Sequence, residues 1–307
     1  MKVFVAGATG VVGRPLVSQL LERGHEVTGM TRSEAGAERL RAQGAHAAIA
    51  DVFDEERVRA AVAEADPEVL VHELADLPHK MNLRKLDEFY AGLPRMRTEG
   101  TRVLVGAAQA AGVRRIVAQS IAFLYAPEGA AVKDEDGRVW DDAPEPFGGA
   151  IRATLDLERQ VVGAGGIALR YGWFYGPGTY YARDGHTAKE VRARRQPIVG
   201  RGDAITSFLH VDDAASATVA AIEGETAGVF NVVDDEPAPM GDWLPAFAEA
   251  LGAKAPRRVP AFLARFAVPK MIAEMATTLR GASNERFKRE LVWEPRYPSY
   301  REGFGDL

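Results

Sequence analysis

The chain has 307 residues, with 38 basic and 43 acidic side chains and no cysteine. Zero cysteine excludes disulfides, zinc–thiolate centres, Fe–S clusters and thiol catalysis, and a net charge of −5 argues against nucleic acid as the main partner. With 47% apolar and 26% charged residues the composition is ordinary globular, and the length fits one large α/β domain or two lobes. Residues 3–6 predict a first strand, and 12–23 a helix with Leu16, Leu20 and Leu21 on one face. A second strand is expected over 26–30, a helix over 35–43 and a third strand over 45–50. Asp54 caps a helix running to about Ala65, and 69–74 reads as a fourth strand. A long Arg-rich helical region ends near Gly112, followed by strands over 115–119 and 167–171.

Strands separated by 10–20 helical residues predict βαβ units, hence a doubly wound parallel sheet of Rossmann type in an α/β fold. The nucleotide-binding part is expected over 1–172, with sheet elements returning near 205–233, and a smaller substrate-binding lobe over 173–307. Residues 126–149, rich in Pro, Gly, Asp and Glu, read as an exposed loop or lid. Residues 260–275 are apolar but interrupted by Arg265, Lys270 and Glu274, as in a partly buried amphipathic helix. Neither a signal-peptide core nor an apolar run of membrane-spanning length is visible, so a cytoplasmic enzyme without membrane contact is expected.

Gly7-Ala8-Thr9-Gly10-Val11-Val12-Gly13 has GxxGxxG spacing between the first strand and the first helix. The first glycine permits a tight turn, the second lets backbone approach a pyrophosphate, and the third allows close helix–strand packing. Gly7, Thr9, Gly10, Val11, Val12 and Gly13 are therefore the expected phosphate cradle. The second strand ends in Met30-Thr31-Arg32-Ser33 with no carboxylate before Glu34, and Arg32 fits a 2′-phosphate, so NADP(H) is expected over NAD(H). Asp51 and Val52 after the third strand are placed for the adenine, Leu74 and Ala75 follow the fourth strand, and Tyr171 ends the sixth near the nicotinamide. The histidines show no metal-ligand spacing, and no metal is expected.

These segments resemble the extended short-chain dehydrogenase/reductase superfamily, which includes nucleotide-sugar epimerases and dehydratases. The resemblance rests on the glycine turn, on Asp51-Val52 and on Val69-Leu70-Val71-His72. Thr98-Glu99-Gly100-Thr101, the run from Leu169 to Gly178, Phe208 to Ala214 and Lys288 to Pro295 are similar to further family motifs in the same order. It implies a Rossmann-type domain with a C-terminal substrate lobe, and in many relatives dimerisation through two long helices, here roughly 81–111 and 147–163.

The family's usual chemistry implies a Tyr-x-x-x-Lys pair, and here it is missing. Of the 38 basic residues only 8 are lysines, and none stands four residues after any of the 8 tyrosines. By resemblance Phe147 takes the tyrosine position and Ile151 the lysine position, with Arg152 beside it as a partial ribose-binding substitute. Arg97 replaces an asparagine, and so does Trp173. The alternative proton donors are Ser120, ending the fifth strand, and Tyr125, with Tyr175, His72, Glu73, Asp76, His79 and Lys80 also at strand ends or in the loops after them. His72 reads as a satisfied core histidine, and Asp212 and Asp213 as structural hydrogen-bonders. Trp173, Phe174, Tyr180, Tyr181 and Trp243 form either an aromatic-lined pocket or a lobe core.

The expected function is an atypical NADP(H)-dependent reductase of a small apolar or aromatic metabolite. A nucleotide-sugar epimerase or dehydratase, a non-catalytic NADP(H) sensor and a non-redox lyase or isomerase remain alternatives.

Overall fold

Among the described residues, nine strands of three or more residues follow one another along the chain. They are β1 (Lys2–Ala6), β2 (Glu26–Thr31), β3 (His46–Ile49), β4 (Val69–His72), β5 (Arg115–Ile121), β6 (Ile167–Tyr171), β7 (Trp173–Tyr175), β8 (Phe208–His210) and β9 (Gly228–Val232). In the computed structural model, which describes residues 1–78, 85–267 and 269–307, seven of them form one parallel sheet in the order β9-β6-β5-β4-β1-β2-β3. β7 and β8 pair with each other, also parallel. This is the expected Rossmann-type sheet with a seventh strand at its edge. Every side chain of β4 and β6 is buried, as in strands covered on both faces.

The covering helices are α1 (Gly13–Glu22), α2 (Glu34–Ala42), α3 (Glu55–Ala65), α4 (Leu86–Tyr90), α5 (Leu93–Arg95), α6 (Thr101–Ala110), α7 (Phe147–Gly163), α8 (His186–Arg192) and α9 (Val211–Glu223). Leu16, Val17 and Leu20 of α1 pack with Val3, Val5 and Val71 and with the alanine-rich face of α9. On the other face Phe4, Leu70, Val58, Leu104 and Leu157 pack together. Asp54 caps α3 as expected, its carboxylate accepting from Arg57 N–H at 3.1 Å.

The chain then continues through α10 (Met240–Ala250), α11 (Ala261–Ala267), α12 (Lys270–Thr278), α13 (Glu285–Leu291) and α14 (Tyr300–Gly305). Tyr175, Phe208, Trp243, Phe247 and Phe304 form a separate aromatic core in this lobe. Two lobe residues, Phe287 and Trp293, instead join the nucleotide-domain core.

Four expectations are corrected. The long helix over 81–111 is broken, where described, into α4, α5, a π-helical turn over Met96–Gly100 and α6. At the break the loop after β4 docks, for a Cβ on Gly92 would lie 1.9 Å from Asp76 Oδ2. β4 stops at His72 rather than at 74, because His72 Nδ1 accepts from Leu74 N–H at 3.2 Å and turns the chain. Residues 126–149 are no free lid: Trp140 and Ala143 are buried, and Val132–Lys133 pairs in parallel with Gly281–Ala282. The apolar stretch over 260–275 forms two helices separated near Pro269 rather than one. Among the described residues no helix is long and apolar enough to cross a membrane, and no cluster of His, Asp and Glu could hold a metal ion.

Candidate active site and cofactor cleft

The glycine turn opens at the carboxyl end of β1. Gly7 has φ 98°, and Gly10 N–H closes the turn on Gly7 O at 2.8 Å. A Cβ on Gly13 would meet Gly7 O at 2.1 Å, so the helix start sits tightly on the turn. α1 has no acidic residue in its first turn and no side-chain cap, and the N–H groups of Val11 and Val12 have no partner among the described residues. Such a helix start attracts phosphate through its free N–H groups and dipole. Thr9 and Gly10 lie on the solvent side of the turn and Val12 beneath it. The residues present therefore fit a dinucleotide pyrophosphate.

At the end of β2, Thr31 is buried and Arg32 exposed, and Arg32 makes no ion pair among the described residues. Ser33 caps α2, accepting from Gly36 N–H at 3.2 Å. Asp51 is exposed and spends Oδ1 on Phe53 N–H at 2.9 Å, a local turn that leaves Oδ2 toward solvent, while Val52 is buried. Leu74 is half-buried and Ala75 exposed beside this cleft. His79 and Lys80 lie outside the described residues.

The two hydroxyls expected to donate protons are engaged inside the protein. Ser120 donates to Glu158 Oε1 at 2.6 Å, and Arg170 holds the same carboxylate with Nε and Nη2, both at 2.8 Å. Tyr125 donates to Asn231 Oδ1 at 2.6 Å and accepts from Arg170 Nη1 at 3.0 Å. All five residues are buried. Burial pushes the Tyr125 phenol up to about 12, against the opposing pull of Arg170. Glu158, Arg170 and Asn231 are not foreseen by the sequence reading, although a lone arginine inside the apolar run 167–171 signals a buried counter-ion.

Phe147 and Ile151 are both buried at the foot of α7, and the Phe147 ring packs 6.2 Å from Tyr90 and 6.3 Å from Trp140. Arg152 turns to solvent, donating to Asp141 O at 2.8 Å and pairing with Glu145, so it does not take up the lysine's place. A further buried cation, besides Arg170, is Arg97 on the π-helical turn. Burial lowers its pKa to about 10, and its Nε and Nη1 have no partner among the described residues. His72 is the satisfied core histidine expected, with Nε2 3.1 Å from Thr101 Oγ1; burial, then Arg97, hold it down to about 3.

Glu73 follows β4 directly. It is buried, and burial pushes its carboxyl up to about 8 despite Arg97. Tyr171 lies 1% exposed beneath the cleft, its hydroxyl 3.2 Å from Glu73 Oε1 and 2.6 Å from Thr218 Oγ1.

Of the five lobe aromatics, Tyr181 and Trp243 belong to the lobe core. Trp173 and Tyr180 pack on the edge of that core, Trp173 stacking on Phe123 at 4.3 Å and Tyr180 reaching Pro78 O after β4, while Phe174 lies against Tyr171 and the sheet core. Asp213 is structural as expected, accepting from Arg296 N–H at 2.8 Å and Tyr297 N–H at 3.0 Å. A cavity of about 560 Å³ lies elsewhere, beside Asp234 and Lys288, and Lys288 is already neutralised there by Asp235 and Glu294.

Residues 3–232 match the NAD dependent epimerase/dehydratase family. A Streptomyces protein named 3-diazoavenalumate denitrifying reductase is 48% identical over 99% of both chains. Among solved structures, a UDP-glucose 4-epimerase from Thermotoga maritima is 21% identical with a TM-score of 0.77, covering 99% of this chain and 96% of that one. A human epimerase family protein with NADPH is also 21% identical, with a TM-score of 0.74 over 100% and 99% of the two chains. These two structures share the fold. With a sequence relative along the whole chain and a family match over most of it, the chain belongs to the NAD dependent epimerase/dehydratase family and is an NAD(P)-dependent oxidoreductase of the short-chain dehydrogenase/reductase type.

Proposed function

We propose that this chain is an NADP(H)-dependent reductase that removes a diazo group from a small aromatic metabolite. The observation that carries this reading is the replacement of the family's Tyr and Lys by buried Phe147 and Ile151. Reduction of an ordinary ketone needs an acid for the developing alkoxide. An aryl diazonium group needs none: ArN2+ + NADPH → ArH + N2 + NADP+ balances in atoms and charge with no proton consumed. The C–N bond breaks, a C–H bond forms, and dinitrogen leaves. The similarity to the diazo-compound reductase supports the substrate class.

When bound, the reduced nicotinamide supplies the hydride. The chain's own residues then bind, orient and exclude water. The glycine turn holds phosphates, and Arg32 with the N-terminus of α2 offers a 2′-phosphate its charge and N–H groups. The Phe123–Trp173 stack and Tyr180 offer an aromatic wall to a flat substrate. Trp173, where nucleotide-sugar enzymes are expected to carry asparagine, weighs against a sugar substrate.

The test is anaerobic incubation of the protein with NADPH and a hydroxylated benzenediazonium salt. Loss of the reduced-nicotinamide band with equimolar dinitrogen and arene, above a protein-free control, is the expected result. Turnover of ketones with none of the diazonium salt sinks the reading, as does transfer between sugar nucleotides.

A further inference from the structure

Three hydrogen bonds run in a line beneath the glycine turn, and they need three protons. Thr218 Oγ1 bonds Ala214 O at 2.7 Å and Tyr171 OH at 2.6 Å, and Tyr171 OH lies 3.2 Å from Glu73 Oε1. The two hydroxyls supply two protons, and Ala214 offers only a carbonyl. Tyr171 can donate to Glu73 only if Thr218 leaves Ala214 for Tyr171; with Thr218 on Ala214 and Tyr171 on Thr218, the third proton comes from Glu73. Glu73 Oε2 is buried with no partner among the described residues, which a neutral carboxyl tolerates far better than a carboxylate.

The position of this carboxyl matters for the site above it. Glu73 N–H donates to Ala6 O at 2.8 Å, and a Cβ added to Gly7 would lie 2.6 Å from Glu73 O and 3.1 Å from its Cβ. The side chain therefore packs directly under the turn whose free amides await phosphate. The groups facing it are Tyr171 from β6, Thr218 from α9, neutral His72 from β4 and Arg97 from the π-helical turn. Only Arg97 is cationic, and no hydrogen bond joins it to Glu73 among the described residues.

We propose that Glu73 is a positioning residue that must stay protonated for a dinucleotide to bind, so that its ionisation sets the alkaline limit of cofactor affinity. The proposal rests on the reading that the glycine turn holds the dinucleotide. An ionised Glu73 would break the proton count of the chain to Thr218 and place negative charge under the phosphates. Burial already places its titration near pH 8, within reach of experiment.

The test is the NADPH dissociation constant by nicotinamide fluorescence from pH 7 to 9.5 at constant ionic strength. In the wild type it is expected to hold steady to about pH 7.5 and then to rise about tenfold per pH unit above the carboxyl's pKa. Glu73→Gln keeps a donor and cannot ionise, so its dissociation constant is expected to stay within about twofold across the range. Glu73→Leu is the second variant, with the same flat profile expected. A wild-type curve flat to pH 9.5, or either variant rising in parallel with the wild type, overturns the proposal. Folded wild type that binds no NADPH even at pH 7 overturns instead the reading of the glycine turn, and the proposal with it.

Discussion

Ser120 gives its hydroxyl proton to Glu158 across 2.6 Å, and that carboxylate is clasped by both arms of Arg170. Arg170 in turn holds the Tyr125 hydroxyl, which binds Asn231. The network therefore joins β5, α7, β6 and β9 on one carboxylate and one guanidinium. A buried pair of this kind resists the loss of either partner. Tyr125→Phe is expected to lower stability by about 1–3 kcal/mol, from the unpaired Asn231 and Arg170, while kcat stays within about threefold. Urea unfolding and steady-state turnover on one preparation check it. A loss of kcat above a hundredfold in a fully folded variant would make Tyr125 the proton donor after all.

Arg32 decides the cofactor if its charge meets a 2′-phosphate. Arg32→Ala is expected to weaken NADPH binding by about 10- to 100-fold and to leave NADH binding within twofold. Paired titrations with both cofactors measure the split. Equal losses for both would place Arg32 outside the cofactor site.

Hydride transfer to a cationic acceptor consumes no proton. At saturating cofactor, kcat is therefore expected to be level between pH 6 and 7.5, with a solvent deuterium isotope effect near unity. A deuterated nicotinamide should still slow the chemical step. A solvent isotope effect above about two would reveal an acid in the transition state and reopen Glu73, His72 and the tyrosines as donors.

The same buried carboxyl that faces Tyr171 carries a stability signature. The Glu73 pKa in the fold, about 8, lies above the ordinary 4.5, and burial is the chief cause. Its neutral form thus favours the fold fully below pH 4.5, and that advantage drains away as pH rises through 8. Glu73→Leu is expected to be more stabilising at pH 8.5 than at pH 5, by about 4 kcal/mol. Denaturant melts at the two pH values test the sign, and a variant that loses ground at pH 8.5 contradicts it.

The sheet and the glycine turn were legible because strand periodicity and glycine spacing are local. The absent Tyr–Lys pair was legible by counting, since eight lysines leave few places to look. The Ser120–Glu158–Arg170–Tyr125–Asn231 network was not, because its members lie up to 106 residues apart in pairwise contact and meet only after the sheet has formed. Arg97 was legible as the replacement of a family asparagine, but not as a buried cation. Its burial depends on the π-helical turn, whose extra residue no periodicity announces. The aromatics were not sorted by sequence for a related reason: Trp243 lies inside the lobe core while Trp173 packs on its edge and stacks on Phe123, and a sequence assigns no side to a ring.

The nucleotide-binding unit is not one stretch of chain. Its edge strand β9, its covering helix α9 and the core residues Phe287 and Trp293 come after β6 and after part of the lobe. Trp293 Nε1 also donates to Ser216 on α9 at 2.9 Å. The glycine turn thus lies far ahead in sequence of the edge strand and of the core residues that complete the domain around it. A prematurely ended chain keeps the whole phosphate motif and lacks the packing that holds it.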